Sequence, residues 1–253
     1  MGHEVLMSVE LGHVFVANVN DGKLIDLRIE PVGSDNQDVG RIYLAKVARV
    51  VPRLQAAFVN IGQGANAFLP FSEISDSELI AEKNEKSKNS KEINVLLQAG
   101  QEIVVQVIKE PFGKKGARVT TELSIAGRFI VLIPKSKYIG VSKKMRDKFE
   151  RRRLKKIAKT LRQKDIGIII RTVAEGKSEE HIVNDFNSLL NSWNKVSKVA
   201  DNQEAPTLVY EDLETASSVV RDLLTPDVEK IIIDSKRLYK KTQKYLEEVS
   251  PSL

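Results

Sequence analysis

The segment 41–74 most constrains the fold of this chain, because short runs of alternating apolar and polar residues are separated there by tight turns. The first run ends at Pro52, since proline cannot donate to a central strand ladder. Two further runs cover 57–61 and 67–71, and the turn between them begins with Gly62-Gln63-Gly64, which is flexible enough to reverse the chain. Short strands joined by glycine turns are typical of a small closed β-barrel.

The same segment interleaves aromatic rings with cations. Tyr43, Phe58 and Phe68 are among the rings, and Lys46 is among the cations. Bases stack on rings for about 1–3 kcal/mol each, while cations meet the phosphates. We therefore predict that these four residues lie on a wall that binds single-stranded nucleic acid. The residues alone leave open the alternative that Phe58 and Phe68 only fill the barrel.

Two runs of residues resemble a known family: 55–62, QAAFVNIG, and 67–70, AFLP. In this order they are similar to the S1-type OB-fold of the ribonuclease E/G family, and an unrelated OB barrel would not be expected to share them. The resemblance implies that Phe58 and Phe68 hold RNA. It also implies an RNA contact by Lys115, in the glycine-flanked loop 109–116, although a lysine in an exposed hairpin loop needs no such role.

The resemblance covers essentially the whole chain and implies its fold class. We expect an α/β (α+β) multidomain protein. A five-stranded S1-type OB-fold barrel, with an adjoining 5′-sensor α/β subdomain, is inserted into a split ribonuclease-H-like α/β domain. The expected parts are 1–37 and 203–253 for the split domain, 38–126 for the barrel and 127–202 for the 5′-sensor subdomain.

Local patterns add three expectations to this division. Asp21-Gly22 between two alternating runs predicts a hairpin, because the turn needs positive φ angles. The polar composition around 82–92, which has no apolar residue, predicts a flexible loop over about 75–97 inside the barrel domain. The tail from 206 has the pattern strand, helix, strand, helix, and its first helix is predicted over 211–224.

The positive charge of the chain is concentrated in one segment. The formal net charge is +6, yet 143–164 holds 12 lysines and arginines against two acids, a local net charge of +10. A basic patch of this kind attracts phosphate backbones. Apolar residues at helical spacing predict a basic helix from about 142 to 161. Its charge is explained either by a solvated face or by further RNA contact, and the resemblance assigns it no role.

A second phosphate motif appears at 166–178, where a predicted strand and loop lead to Gly176-Lys177-Ser178 and a helix. A complete P-loop needs glycine five positions before Gly176, and Arg171 stands there, so we reject a nucleotide triphosphatase. A smaller anion site is still predicted. Arg171 can bind a phosphate through two parallel hydrogen bonds, and Thr172 adds a hydroxyl and an N–H. An ordinary salt bridge of Arg171 is the alternative.

The Arg171-Thr172 pair resembles the 5′-end sensor of the ribonuclease E/G family, which binds the 5′-monophosphate of RNA. By the same resemblance, Gly127, Val131 and Lys143 complete the pocket. Lys143 stands where the enterobacterial type has arginine, so it keeps the charge but loses the planar fork. The implied partner is single-stranded RNA with a 5′-monophosphate.

Neither catalytic residues nor a metal site are predicted in this chain. It has no cysteine, and His3, His13 and His181 are scattered, which argues against thiolate or zinc sites. The family cuts RNA with magnesium held by two aspartates in a deoxyribonuclease-like domain, which the resemblance places beyond Leu253. We therefore expect no cofactor and no cleavage in this chain. Asp234, at the end of an apolar run, is interpreted as a helix cap.

Two functions remain open. One is the recognition half of a ribonuclease E/G endoribonuclease for RNA processing and decay; the other is a free-standing, non-catalytic, single-stranded RNA-binding protein. No run of about 18 apolar residues predicts a membrane span, and the acidic, strand-like N-terminus is unlike a targeting segment. The expected location is the cytoplasm or an organelle stroma. Self-association is expected only through regions outside this chain.

Overall fold

The computed structural model describes residues 2–31, 38–75, 95–113, 115–211 and 228–249. The chain forms two compact units, the first from Met1–Gln37 with Leu213–Leu253 and the second from Asp38–Asp212. Because the first unit combines both ends of the chain, the second is an insertion within it. The predicted helix over 211–224 and most of the predicted loop 75–97 lie outside the described residues.

The described elements follow the alternation seen in the sequence. The strands are β1 (His3–Glu10), β2 (His13–Asn20), β3 (Lys23–Pro31), β4 (Ile42–Val51), β5 (Ala56–Asn60), β6 (Ala67–Pro70), β7 (Glu102–Lys109), β8 (Arg118–Thr120), β9 (Ile125–Ala126), β10 (Ile130–Pro134), β11 (Ile139–Val141), β12 (Ile166–Ile170), β13 (Thr207–Tyr210) and β14 (Val228–Ile233). The helices are α1 (Lys148–Thr160), α2 (Glu179–Asn202) and α3 (Lys236–Val249). Within the described ranges, no helix is long and apolar enough to cross a bilayer.

The first unit contains one sheet with the strand order β14-β1-β2-β3. Strand β14 runs parallel to β1, and the other pairs are antiparallel. The predicted hairpin is confirmed, since Asp21 and Gly22 have φ angles of 48° and 75° between β2 and β3. The inward side chains Val5, Met7 and Val16 pack with Leu238 of α3 to form the core of this unit.

The second unit contains the predicted five-stranded barrel, which is confirmed. Its strands follow the order β4-β5-β6-β8-β7, and the pairing of β4 with β7 closes it. Small and branched side chains fill the interior, including Val59, Leu69 and Val105, none of which is exposed. Strand β13 also pairs with β4, and this unit extends to Asp212.

A second sheet, β11-β12-β10-β9, completes this unit, and α1 and α2 pack on it around buried residues such as Ile168 and Phe186. The basic helix is confirmed but is shorter than predicted. It begins at Lys148 because the Asp147 carboxylate caps it, accepting hydrogen bonds from the N–H groups of Phe149 at 2.7 Å and Glu150 at 3.3 Å.

Candidate nucleic-acid interface

Phe58 and Phe68 form a pair of rings on the outer wall of the barrel. They lie directly opposite each other on the antiparallel strands β5 and β6, with ring centroids 5.8 Å apart and planes inclined by 59°. Both rings are partly exposed, whereas their chain neighbours Ala57, Val59 and Leu69 are completely buried. Alternate residues of a strand face opposite sides of the sheet. These two rings therefore do not fill the barrel.

The strand pairing aligns the ring pair with cations on both sides. Arg49 of β4 pairs with Phe58, Phe68 pairs with Arg118 of β8, and Arg118 pairs with Lys109 of β7. We call these five residues the ring row. Arg49 and Lys109 are exposed, and Arg118 is partly exposed. Sequence reasoning missed Arg118 and Lys109, because residues so far apart in the chain become neighbours only through the barrel register.

Lys115 lies in a loop that packs beside Phe68. The backbone N–H of Phe68 donates to the carbonyl of Ala117 at 2.7 Å. Gly116 approaches the next strand so closely that a β-carbon there would be 2.0 Å from the carbonyl oxygen of Asn66. Only glycine fits this position without displacing backbone. The exposed Lys115 side chain is thereby carried next to the ring row.

The same loop exposes a ring that sequence reasoning did not select. Phe112 is 84% exposed and forms a backbone bridge with Lys115, with N···O distances of 3.2 and 3.0 Å. An apolar ring within the lysine- and glycine-rich run 109–116 was the available signal. Solvent exposure of this ring adds a stacking surface near the ring row.

Lys46 and Tyr43 have different positions on β4. Lys46 is exposed, cross-strand from Asn60 on one side and Glu102 on the other, so it lies on the outer wall as predicted. The predicted position of Tyr43 on this wall is corrected by the structure. Its ring is 5% exposed and belongs to the barrel core, so it has no free face on which a base can stack.

The Tyr43 hydroxyl has a structural role inside the barrel domain. It donates to Asp38 at 3.1 Å and accepts from the Gln63 amide at 3.2 Å. Burial, together with the negative charge of Asp38, raises the pKa of this phenol above its ordinary value. The ring pattern of the sequence was misleading here because Ile42 and Leu44, on either side of Tyr43, are buried as well, so this end of β4 does not alternate between buried and exposed residues.

The predicted phosphate-binding residues are brought together at one edge of the second sheet. Strands β11 and β12 are parallel and β10 is antiparallel to β12, so the ends of β11 and β12 meet the start of β10. Ile170 pairs with both Ile130 and Val141, and the Ser142 N–H donates to its carbonyl at 2.8 Å. We call the five residues at this edge the sheet-edge cluster: Gly127, Val131, Lys143, Arg171 and Thr172.

Arg171 is held firmly within the sheet-edge cluster. Its Nη1 donates to the Gly127 carbonyl at 2.7 Å, and its backbone N–H donates to the Phe129 carbonyl at 2.8 Å. The side chain is partly exposed, as is that of Thr172, which begins a single 3-10 turn. Lys143 is exposed in the turn after β11. A guanidinium, a hydroxyl and an ammonium group at one edge can bind an anion.

Asp185 of α2 supports this arrangement and was missed by sequence reasoning. Its carboxylate accepts hydrogen bonds from three successive backbone N–H groups, those of Arg128, Phe129 and Ile130, at 3.1, 2.8 and 2.9 Å. Burial raises the pKa of Asp185, although these N–H groups and the charge of Arg171 favour its ionised form. Asp185 thus fixes the loop 127–130, and in that loop the Gly127 carbonyl accepts the hydrogen bond from Arg171. An acid next to the buried Phe186 was the available signal.

The described residues do not fit a metal centre. In the ranges that the structure covers, no three His, Cys, Asp or Glu side chains form a group that could hold an ion. Asp234 was interpreted as a helix cap, and this is wrong. It accepts hydrogen bonds from Ser8 Oγ at 2.6 Å and from the Val9 N–H at 3.1 Å, while Ser235 receives the Leu238 N–H at the start of α3.

Comparison with known proteins agrees with this geometry. Residues 36–121 match the family model of the S1 RNA binding domain, which covers the barrel, and residues 124–253 match that of the Ribonuclease E/G family. The chain belongs to the Ribonuclease E/G family. The membership expected from the two sequence runs is therefore confirmed.

Curated relatives are similar to this chain along most or all of its length. It is 36% identical over 251 residues to Ribonuclease G of Haemophilus influenzae, covering 99% of this chain and 51% of that protein. It is 34% identical to Ribonuclease G of Escherichia coli K12, covering 100% and 52%. Ribonuclease E of Nostoc sp. PCC 7120 is 34% identical over 220 residues, covering 87% and 31%. The chain spans about half the length of the Ribonuclease G relatives.

Proposed function

We propose that this chain binds single-stranded RNA and is the recognition half of a Ribonuclease E/G-type endoribonuclease that acts in RNA processing and decay. The observation that carries the proposal is the partly exposed ring pair Phe58–Phe68 on the outer wall of an S1 domain. Arg49 flanks the pair on one side, and Arg118, which is ion-paired with Glu73 at 2.8 Å, flanks it on the other. Two neighbouring rings offer stacking faces to successive bases, and every base has a face to stack. The ring pair therefore binds unpaired RNA with little dependence on sequence.

Cations around the ring pair supply the phosphate contacts. Arg49 and Lys109 lie at the ends of the ring row, and Lys115 and Lys46 are exposed beside it. If about four to six phosphates are neutralised, log K falls with log salt with a slope near −0.7 per phosphate. A salt profile without this slope argues against RNA binding by this wall.

The proposal includes a 5′-end sensor at the sheet-edge cluster. Arg171 there is anchored to the loop 127–130, which Asp185 fixes through three hydrogen bonds. The anchored guanidinium, the Thr172 hydroxyl and N–H, and the Lys143 ammonium bind the terminal phosphate, while Gly127 and Val131 shape the edge. These three donor groups suit one phosphate. A hydroxyl end offers it no charge, and a triphosphate adds groups that it does not accommodate.

Short RNAs of one sequence with a 5′-monophosphate, a 5′-triphosphate or a 5′-hydroxyl test the sensor. The wild-type chain is expected to bind the monophosphate most tightly. Arg171→Ala removes this preference and leaves the affinity for the hydroxyl RNA unchanged, and Arg171→Lys retains part of it because charge remains without the planar fork. Equal affinity of the wild-type chain for all three ends would exclude the sensor while leaving the ring pair in place.

We further propose that this chain binds RNA without cutting it. Asp234, the carboxylate at a strand end that most resembles a metal ligand, is engaged by Ser8 and Val9. An assay with magnesium and labelled RNA is expected to show intact RNA. Cleavage that co-purifies with the chain and is abolished by Asp234→Asn would place an active site here.

Domain roles complete the proposal. The unit Asp38–Asp212 contains the S1 barrel and the 5′-sensor subdomain, and the unit formed by the chain ends is the ribonuclease-H-like domain. Support for the second assignment is the antiparallel β1-β2-β3 meander joined by a parallel strand and helix, β14 and α3. This unit is proposed to be catalytically inert.

A further inference from the structure

We propose that α1 presents a second RNA-binding surface, which contacts the phosphate backbone and acts independently of the ring row. It consists of five exposed cations, which we call the α1 stripe: Lys148, Arg152, Lys155, Lys156 and Lys159. This inference rests on the proposed function because the ligand is the same RNA. None of these five cations belongs to the ring row or to the sheet-edge cluster.

The α1 stripe lies on one face of the helix. Its members follow one another at spacings of three and four residues or adjoin such a pair, which places them side by side on an α-helix. The opposite face carries Leu154, Ile157 and Ala158, all buried against the second sheet. From Lys148 to Lys159 the stripe is about 16 Å long, at about 1.5 Å per residue. It is long enough to follow several phosphates.

The charge of the stripe is not neutralised by neighbouring acids. In the part of the chain that the structure describes, none of its five side chains forms an ion pair or a hydrogen bond. The acids of the segment are engaged elsewhere. Asp147 caps the helix, and Glu150 accepts from Arg153 at 2.6 Å and from the Gly176 N–H at 2.9 Å. The hydrogen bond from Arg153 keeps the pKa of Glu150 below its usual value.

A solvated helix face usually mixes charges of both signs, because opposite charges one turn apart stabilise the helix. The stripe instead places like charges one turn apart. Arg152 has Lys148, Lys155 and Lys156 within one turn, and each pair repels. A bound polyanion relieves this repulsion and releases counterions. The arrangement therefore favours a phosphate backbone as the ligand over an unoccupied solvated face.

The stripe continues from the proposed 5′-end site. Arg153 of α1 donates to the Lys177 carbonyl at 2.8 Å, and Glu150 receives the Gly176 N–H, so α1 is tied to the loop that follows Thr172. Arg151 donates to the carbonyl of Ser142, next to Lys143. RNA with its first phosphate in the sheet-edge cluster therefore has the cationic face of α1 nearby.

An anionic membrane is the other polyanion that a basic helix can meet, and the packing disfavours it. Interfacial helices bury an apolar face among the lipid headgroups. The apolar face of α1 is already buried in the core, and Phe149 is its one large apolar side chain left exposed within the described residues, at 81%. A cationic surface without an apolar face does not insert among lipids. It contacts the phosphates of RNA, without regard to base sequence.

The test replaces four stripe cations in the 253-residue chain by glutamine: Arg152→Gln, Lys155→Gln, Lys156→Gln and Lys159→Gln. Glutamine retains helix propensity and removes charge. The matched control makes the same change in the other unit, at four exposed cations with the same one arginine and three lysines: Lys230→Gln, Lys236→Gln, Arg237→Gln and Lys240→Gln. Affinity for a fluorescent 30-nucleotide oligouridine with a 5′-hydroxyl is measured from 50 to 300 mM KCl.

The stripe variant is expected to reduce the steepness of log K against log salt by up to about 2.8, or 0.7 for each of four phosphates, and to weaken binding roughly 10- to 100-fold near 100 mM salt. The control is expected to bind within about twofold of wild type with an unchanged slope. A stripe variant with the wild-type slope, or an equal loss in the control, would overturn the proposal. If circular dichroism shows that the fourfold variant misfolds, Arg152→Gln/Lys156→Gln is expected to reduce the slope by about 1.4.

Two further arms separate this inference from its alternatives. In the same assay Phe58→Ala/Phe68→Ala tests the ring pair. If that variant binds as wild type while the stripe variant loses slope, the ring proposal fails and the stripe remains. Binding to phosphatidylglycerol vesicles is measured in parallel. If the stripe substitutions abolish vesicle binding and leave the RNA slope unchanged, the surface belongs to a membrane and the RNA proposal is overturned.

Discussion

Replacement of Phe58 and Phe68 by alanine, singly and together, is the most direct perturbation of the ring row. The rings lie on the outer wall and contact each other at 5.8 Å between centroids. A ring pair of this kind contributes about 0.5–1.5 kcal/mol beyond its buried area. Because the rings are only partly buried, we expect each single variant to lose about 1 kcal/mol of folding free energy, below the 3–5 kcal/mol typical of a core phenylalanine.

The loss in RNA affinity should be larger than the loss in stability. Each stacked base contributes about 1–3 kcal/mol, so each single variant is expected to weaken binding roughly 5- to 150-fold. The double variant should lose less than the sum of the two, because removing one ring also removes the packing that holds the other in place. No charge changes, so the salt dependence of binding should stay as in the wild-type chain.

Fluorescence anisotropy with a short 5′-hydroxyl oligouridine measures these affinities without a contribution from the terminal phosphate. Phe15→Ala is the matched control, because Phe15 is also a partly exposed ring on a strand with an aromatic neighbour, His13, but lies in the other unit. Thermal denaturation of all variants reports folding. If Phe58→Ala/Phe68→Ala binds within twofold of Phe15→Ala while remaining folded, stacking on this wall is refuted.

Three further predictions follow from packing and charge. Asp185→Asn should cost about 1–3 kcal/mol, because an NH2 donor replaces one of the two oxygens that accept from the N–H groups of 128–130. Burial raises the pKa of the folded carboxyl, so the folded state binds more protons and stability from this group falls as pH rises from about 4; urea unfolding at several pH values should show this slope in wild type and not in the variant. Gly116→Ala should displace the Lys115 loop from β6 and weaken binding of RNA, whereas Gly64→Ala, at an open position without a positive φ angle, should cause no clash and leave the binding unchanged. Leu154→Ala, under the α1 stripe, should cost about 2–5 kcal/mol, and a stability unchanged by calorimetry would contradict its burial.

Local signals were sufficient for the barrel and for the elements around it. Strand period, glycine turns and Asp21-Gly22 predicted the strands and the β2–β3 hairpin because each depends on neighbours within a few residues. The helix periodicity of α1 was equally local, although its start at Lys148 depended on which residue capped it. Two short runs, 55–62 and 67–70, carried the family membership that the comparisons confirm.

The binding surfaces depended on pairing between distant residues. Tyr43 and Phe58 look alike as rings in an alternating segment, yet one ring fills the barrel and the other lies outside it. Arg118 joins the ring row through a bridge to Phe68, 50 residues away in the chain. Asp185 reaches the loop 127–130 from a helix more than 50 residues later.

The amino-acid order thus specifies periodicity, turn chemistry and the charge of each segment, because these are properties of residues that are close along the chain. Which side of the barrel a ring faces and which cations become its neighbours are settled by strand register and by closure of the barrel. Which carboxylate holds the Arg171 corner is settled by the packing of α2 on the second sheet. A shift of one residue in register exchanges the two faces of a strand. No local pattern specifies which face of the strand lies outside. That is decided when β4 pairs with β7 and closes the barrel.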